Sequence, residues 1–138
     1  MKSINKIALS LLAVTTLAFS HGDVNPQPVE TKGLEKIADD VIVNPLRENA
    51  IAIEIGKSAY NTNCARCHGL GAISGGVAPD LRALDAADDD IDEYFINKVK
   101  DGAVRNGNVY MPPFKEVLSP EAIWSIRSWI ETLPTDDL

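Results

Sequence analysis

The sequence predicts an all-α domain, about three main helices joined by long loops, and three observations carry that prediction. Apolar residues recur at three- and four-residue spacing in three separate stretches. Glycine and proline crowd the segments between them, as in Gly71, Gly75, Gly76 and Pro79, and again in Gly102, Gly107, Pro112 and Pro113. Of the 138 residues, the first 20 read as a leader, which leaves room for one domain with one modest core.

That leader is residues 1–20. Lys2 and Lys6 precede an uncharged apolar run, Ile7 to Phe19, too short to span a bilayer as a helix, and Ala18 and Ser20 supply the small residues of a cleavage site. The mature chain is expected to begin at His21 and to be exported, not held as an integral membrane protein. Residues 21–45 carry Pro26, Pro28 and Pro45 among scattered charges and keep no period, so they read as an extended arm. Its pairs Leu34 with Ile37 and Val41 with Val43 suggest that it lies against the domain, 46–138.

The first helix covers about 49–63, with Ile51, Ile55, Ala59 and Tyr60 on one face, and delivers the chain to Cys64. Residues 69–84 read as a loop. A second helix is expected to start at Asp90, with Glu93 completing a capping box, and to stop at Gly102; its inner face would be Ile91, Tyr94, Phe95 and Val99. Residues 102–118 cannot be helical and suit a strap lying across something. The last helix has the firmest limits: Ser119 caps it, Pro120 takes its first position, Ile123, Ile126, Ile130 and Leu133 form its stripe, and Pro134 ends it.

The formal charge is −7, and removal of Lys2 and Lys6 makes it −9, 11 basic residues against 20 acidic ones. No run of Lys or Arg remains to neutralise phosphates, so nucleic acid and anionic membrane surfaces are poor partners.

Two cysteines in an exported chain would not stay idle, and bonding Cys64 to Cys67 would close a loop too short to stabilise much. Cys64-Ala65-Arg66-Cys67-His68 is instead the attachment pattern for haem c. One helical turn separates the sulfurs, so both can reach one edge of a porphyrin, and the next residue, His68, projects onto its face as an iron ligand. Zinc would need further Cys or His ligands, and only His21 remains. A free N-terminal His21 could chelate copper through its amine and ring, but a copper oxygenase built that way needs a second histidine nearby, and His68 is committed to haem.

The sixth ligand follows by elimination, because Met111 is the only methionine left after the leader; it lies in a strap stiffened by Pro112 and Pro113. A thioether opposite an imidazole raises the reduction potential and closes the coordination sphere, which suits an electron carrier and not an enzyme. His68 needs an acceptor for its other ring nitrogen, and the carbonyl of Pro79 is the candidate. Arg82, Arg105 and Asn106 are candidate donors to the porphyrin carboxylates. The alternative from another class is a periplasmic dithiol redox protein that uses Cys64 and Cys67 without haem.

Gly56, Tyr60, Cys64, Cys67, His68, Pro79, Leu81, Met111 and Trp129 together resemble the signature of class I cytochromes c. The resemblance implies that fold around one covalent haem, with Gly56 and Tyr60 of the first helix packed on Ile126 and Trp129 of the last. The likeness extends to one subgroup, the periplasmic cytochromes of the PedF or ExaB type, which accept electrons from quinoprotein, PQQ-dependent alcohol dehydrogenases. It spans nearly the whole mature chain: the opening His21-Gly22-Asp23-Val24 with Pro26, Gln27, Thr31 and Gly33, the stretch 53–81, and Arg105-Asn106-Gly107 leading to Tyr110-Met111-Pro112-Pro113-Phe114. That resemblance implies such a dehydrogenase as electron donor and a downstream cytochrome or oxidase as acceptor.

Overall fold

The computed structural model describes residues 25–86, 88–136 and 138; the leader, His21 and the rest of 1–24 lie outside the described residues, as does Asp137. Helix α1, Ala50–Asn63, begins where the side chain of Asn49 accepts from the amides of Ile51 and Ala52. Its buried face is Ala52, Gly56, Ala59, Tyr60 and Asn63, while Ile51 is half exposed. The expected face is thus rotated toward the small residues. The cause is the close crossing of the last helix, α4 (Pro120–Ile130): a Cβ at Gly56 would sit 1.8 Å from the carbonyl oxygen of Ser125. Next to this crossing the rings of Tyr60 and Trp129 stand 4.7 Å apart.

Helix α4 starts as expected, with Ser119 Oγ accepting from the Ala122 amide and Pro120 in the first turn. It is buried on every side from Glu121 to Ile130. An apolar stripe accounts for one side, and the N-terminal arm covers another. Val29, Leu34, Ile37 and Val41 of the arm pack on the core, and the Ile37 amide donates to Glu121 Oε1 at 2.7 Å. Trp124, which the periodicity does not place, is fully buried in this arrangement.

A single turn, α2 (Ala65–His68), follows α1, and the loop beyond it carries two short 3₁₀ turns, Leu70–Ala72 and Leu81–Ala83. Helix α3, Asp89–Asp101, is capped by Asp88, whose side chain accepts from the Asp90 amide, so the expected cap at Asp90 is corrected by two residues. A run of consecutive aspartates offers the same cap chemistry several times, and the extended backbone of Asp88 decides it. Its buried face is Asp92, Phe95, Ile96 and Val99; Tyr94 lies on the adjoining side, which faces the cavity that Cys64 and Cys67 line.

Asp92 is fully buried because three donors meet it: Arg127 Nε, Arg47 Nη2 and the Asn44 amide, each at 2.8 Å. This cluster joins the arm, α3 and α4. Taking away one partner would strand a buried charge.

The expected strap contains a hairpin. Strand β1 (Ala103–Arg105) pairs antiparallel with β2 (Asn108–Met111), with Val104 opposite Val109, Arg105 opposite Asn108, and a bulge that brings Ala103 opposite Met111. Asn106 and Gly107 turn it, with φ of 50° and 78°, the two positive angles that a tight two-residue hairpin requires.

Candidate haem site

Helix α1 and the turn α2 are joined at Cys64, whose amide still donates to Tyr60 O, while the amides of Cys67 and His68 both donate to Cys64 O. The two thiols therefore stand one turn apart. Both are free and half-buried, and both line a cavity of about 350 Å³. Tyr60 Oη donates to the carbonyl of Gly69 at 2.8 Å, which fastens the far end of α2, and burial pushes this hydroxyl's pKa well above its ordinary value.

His68 lines the same cavity, with Nδ1 2.9 Å from the carbonyl oxygen of Pro79. A carbonyl can only accept, so Nδ1 carries the proton and Nε2 keeps the ring's lone pair. This is the hydrogen bond that the sequence places between these residues. The loop that offers the carbonyl is stiffened by Asp80, which accepts from the amides of Ser74 and Arg82 and from the Arg82 guanidinium at 2.9 Å. The guanidinium, foremost, holds the Asp80 carboxyl down at about 2.

Met111 reaches the cavity from the hairpin and is followed by Pro112, also on its wall. Arg105 lines the cavity too, with its guanidinium 5.7 Å from the centre of the Tyr110 ring. Asn106 occupies the hairpin turn, away from the wall. Arg82, expected as a donor to the cofactor, does not line the cavity: it is buried, forked onto Asp80, and donates to Pro134 O at 3.3 Å. A carboxylate two residues away captures it. The cation that sequence reasoning passes over is Lys98, which lines the cavity and lies 5.5 Å from the Tyr94 ring. It stands one helical turn after Tyr94, so a wheel that carries Tyr94 to the cavity carries Lys98 with it.

Leu81, Leu84, Phe95, Val99, Phe114 and Ile126 complete a largely apolar wall. Two thiols at one-turn spacing, an imidazole with a free Nε2, a thioether and two cations on apolar walls fit haem c. Among the described residues no group of three or more His, Cys, Asp or Glu could hold a bare metal ion. Burial, with Cys67 adding to it, pushes the Cys64 thiol up to about 12, the opposite of the lowered value that a reactive dithiol needs.

The family model described as cytochrome c oxidase, cbb3-type, subunit III, matches residues 52–130, more than half of the chain. Cytochrome c550 of Pseudomonas aeruginosa is 48 % identical over 136 residues, covering 95 % of this chain and 93 % of that protein. The chain belongs to the cytochrome c family. Its fold is that of the class I cytochromes c, helical with the small hairpin added, and haem c is the cofactor that the family implies. Quinohemoprotein alcohol dehydrogenase ADH IIB of Pseudomonas putida is 32 % identical over 112 residues, 81 % of this cytochrome but only 15 % of the enzyme. Among solved structures, cytochrome CL of Methylophaga aminisulfidivorans is similar, with a TM-score of 0.52 at 25 % identity over 65 % of this chain and 60 % of that one. Haem c, when bound, supplies a one-electron iron couple. This cytochrome is an electron carrier, and its His68 ring is held by the Pro79 carbonyl.

Proposed function

We propose that this cytochrome is a periplasmic one-electron carrier with a single haem, attached by thioethers to Cys64 and Cys67 and ligated through His68 Nε2 and the thioether of Met111. The observation that carries this reading is that the four residues line one cavity, with His68 Nδ1 tied to Pro79 O. Arg105 and Lys98, both on the cavity wall, are the donors for the porphyrin carboxylates. A quinoprotein alcohol dehydrogenase is the donor of electrons, which the likeness to part of ADH IIB supports. The acceptor is a downstream cytochrome or a terminal oxidase, supported by the description of the matching family. Export rests on the leader, residues 1–20. No helix among the described residues is long and apolar enough to cross a membrane.

The reduced protein should show the sharp bands of haem c, and the haem should survive acid-acetone extraction. A colourless, folded protein with a redox-active dithiol would overturn the reading. Met111→Ala in the haem-loaded protein should abolish the weak far-red sulfur-to-iron band and lower the reduction potential. An unchanged band and potential would remove Met111 as a ligand.

A further inference from the structure

We propose that Gly102 is a positioning residue for the sixth ligand: its missing side chain lets the strap close on the end of α3, and that closure sets where the Met111 thioether stands in the cavity. The inference rests on the ligand reading above.

Gly102 ends α3, its amide donating to Lys98 O at 2.9 Å, and has φ 72° and ψ −157°. That region of backbone space is open essentially to glycine alone. A Cβ here would lie 2.3 Å from Met111 O, 2.8 Å from Pro112 C and 2.9 Å from Pro113 N. All three are backbone atoms of the strap, so no rotation of a side chain could relieve the contact.

The strap cannot simply drift outward as a whole. Before it, the bulged hairpin pairs Met111 with Ala103, the residue after Gly102. After it, the Phe114 amide donates to Val99 O at 3.0 Å, and the Phe114 side chain is buried. A side chain at position 102 would therefore be absorbed between these two anchors, in the segment 111–113 that carries the thioether. Gly56, whose Cβ would collide with Ser125 in α4, provides the comparison: it is equally intolerant, but its neighbours are not part of the strap.

The test uses the full haem-loaded chain and compares Gly102→Ala, Gly56→Ala and Met111→Ala. The readouts are the far-red band, the affinity of the oxidised iron for imidazole, and thermal stability. Gly102→Ala should weaken the band and bind imidazole roughly tenfold more tightly, in keeping with an overpacking strain released when the thioether leaves. Gly56→Ala should lose stability and keep the native band and affinity. A Gly102→Ala protein with both values native, or a Gly56→Ala protein that shifts them equally, would overturn the proposal. A Met111→Ala protein with the native band would overturn the ligand reading instead, whatever Gly102→Ala does.

If Gly102→Ala does not accumulate, hydrogen exchange of the wild type decides. Saturating imidazole should strip protection from the Phe114 amide, because displacing the thioether lifts the strap from α3. Unchanged protection there would mean that Met111 moves independently of the helix end, and the proposal fails.

Discussion

Asp80 follows directly on the carbonyl that accepts from His68, so anything that frees it frees the acceptor as well. Asp80→Asn keeps the shape and removes the charge that faces the buried Arg82. Because Arg82 depresses the carboxyl to about 2, the charged pair stabilises the fold fully above the ordinary carboxylate range, near pH 4, and its contribution disappears as the pH falls through about 2. Thermal midpoints of wild type and Asp80→Asn should differ by a constant amount above about pH 4 and converge toward pH 2. A gap that persists at the acid end would show that shape, not charge, holds the loop. At this scale the sequence is legible where chemistry is written in residue type and spacing, which is why Cys64, Cys67, His68 and Met111 all turn out to line one cavity. It is not legible where a long cation chooses between neighbours. Arg82 turns to Asp80, and Lys98, which by its letters alone belongs in water, turns to the cavity.

The crossing of α1 and α4 depends on one missing side chain, and Tyr60 and Trp129 pack beside it. Gly56→Ala should lower stability by about 1–3 kcal/mol or more and change the near-ultraviolet dichroism of the ring pair, since the collision is with the backbone of Ser125. Denaturant unfolding of the holoprotein measures this; a loss below about 0.5 kcal/mol would mean that the helices part without cost. Element limits are legible where a cap and a proline agree, as at Ser119 and Pro120, and blurred where the chemistry repeats, as from Asp88 to Asp90. The hairpin is not legible in the sequence although Asn106-Gly107 is its signature, because strands of three and four residues are too short to show an alternating pattern. Hydrophobicity alone puts Ile51 on the inner face of α1 and passes over Asp92 on α3, whereas close crossing favours Gly56, and a paired carboxylate can be buried outright.

For the molecule as a whole, strong acidity stands beside an apolar rim, and the two make opposite predictions for docking of the proposed electron donor. Leu70 and Val77 are 79 % and 80 % exposed and Ile73 is 51 % exposed, in the loop that follows α2; Val77 and Pro112 border the cavity itself. Asp88, Asp89 and Asp90 are exposed at the start of α3. Contact through the rim should be insensitive to salt, whereas steering by the aspartates should weaken steeply with it. Ile73→Lys or Val77→Asp is expected to slow reduction by a quinoprotein alcohol dehydrogenase more than neutralising the three aspartates does, in stopped-flow mixing at low and high ionic strength. If the aspartate variant is the slow one and salt reproduces its effect, docking is electrostatic and the rim is not the contact.

The arm has a consequence for the order in which this protein can be finished. It is the earliest-made of the described segments, yet its hydrogen bonds from Ile37 to Glu121 and from Asn44 to Ser128 each span 84 residues of chain. Pairings that distant form late, because the intervening loop must be closed before they are rewarded. The arm must therefore wait for α4 before it can dock, so the covered side of α4 is the last part of the described fold to close.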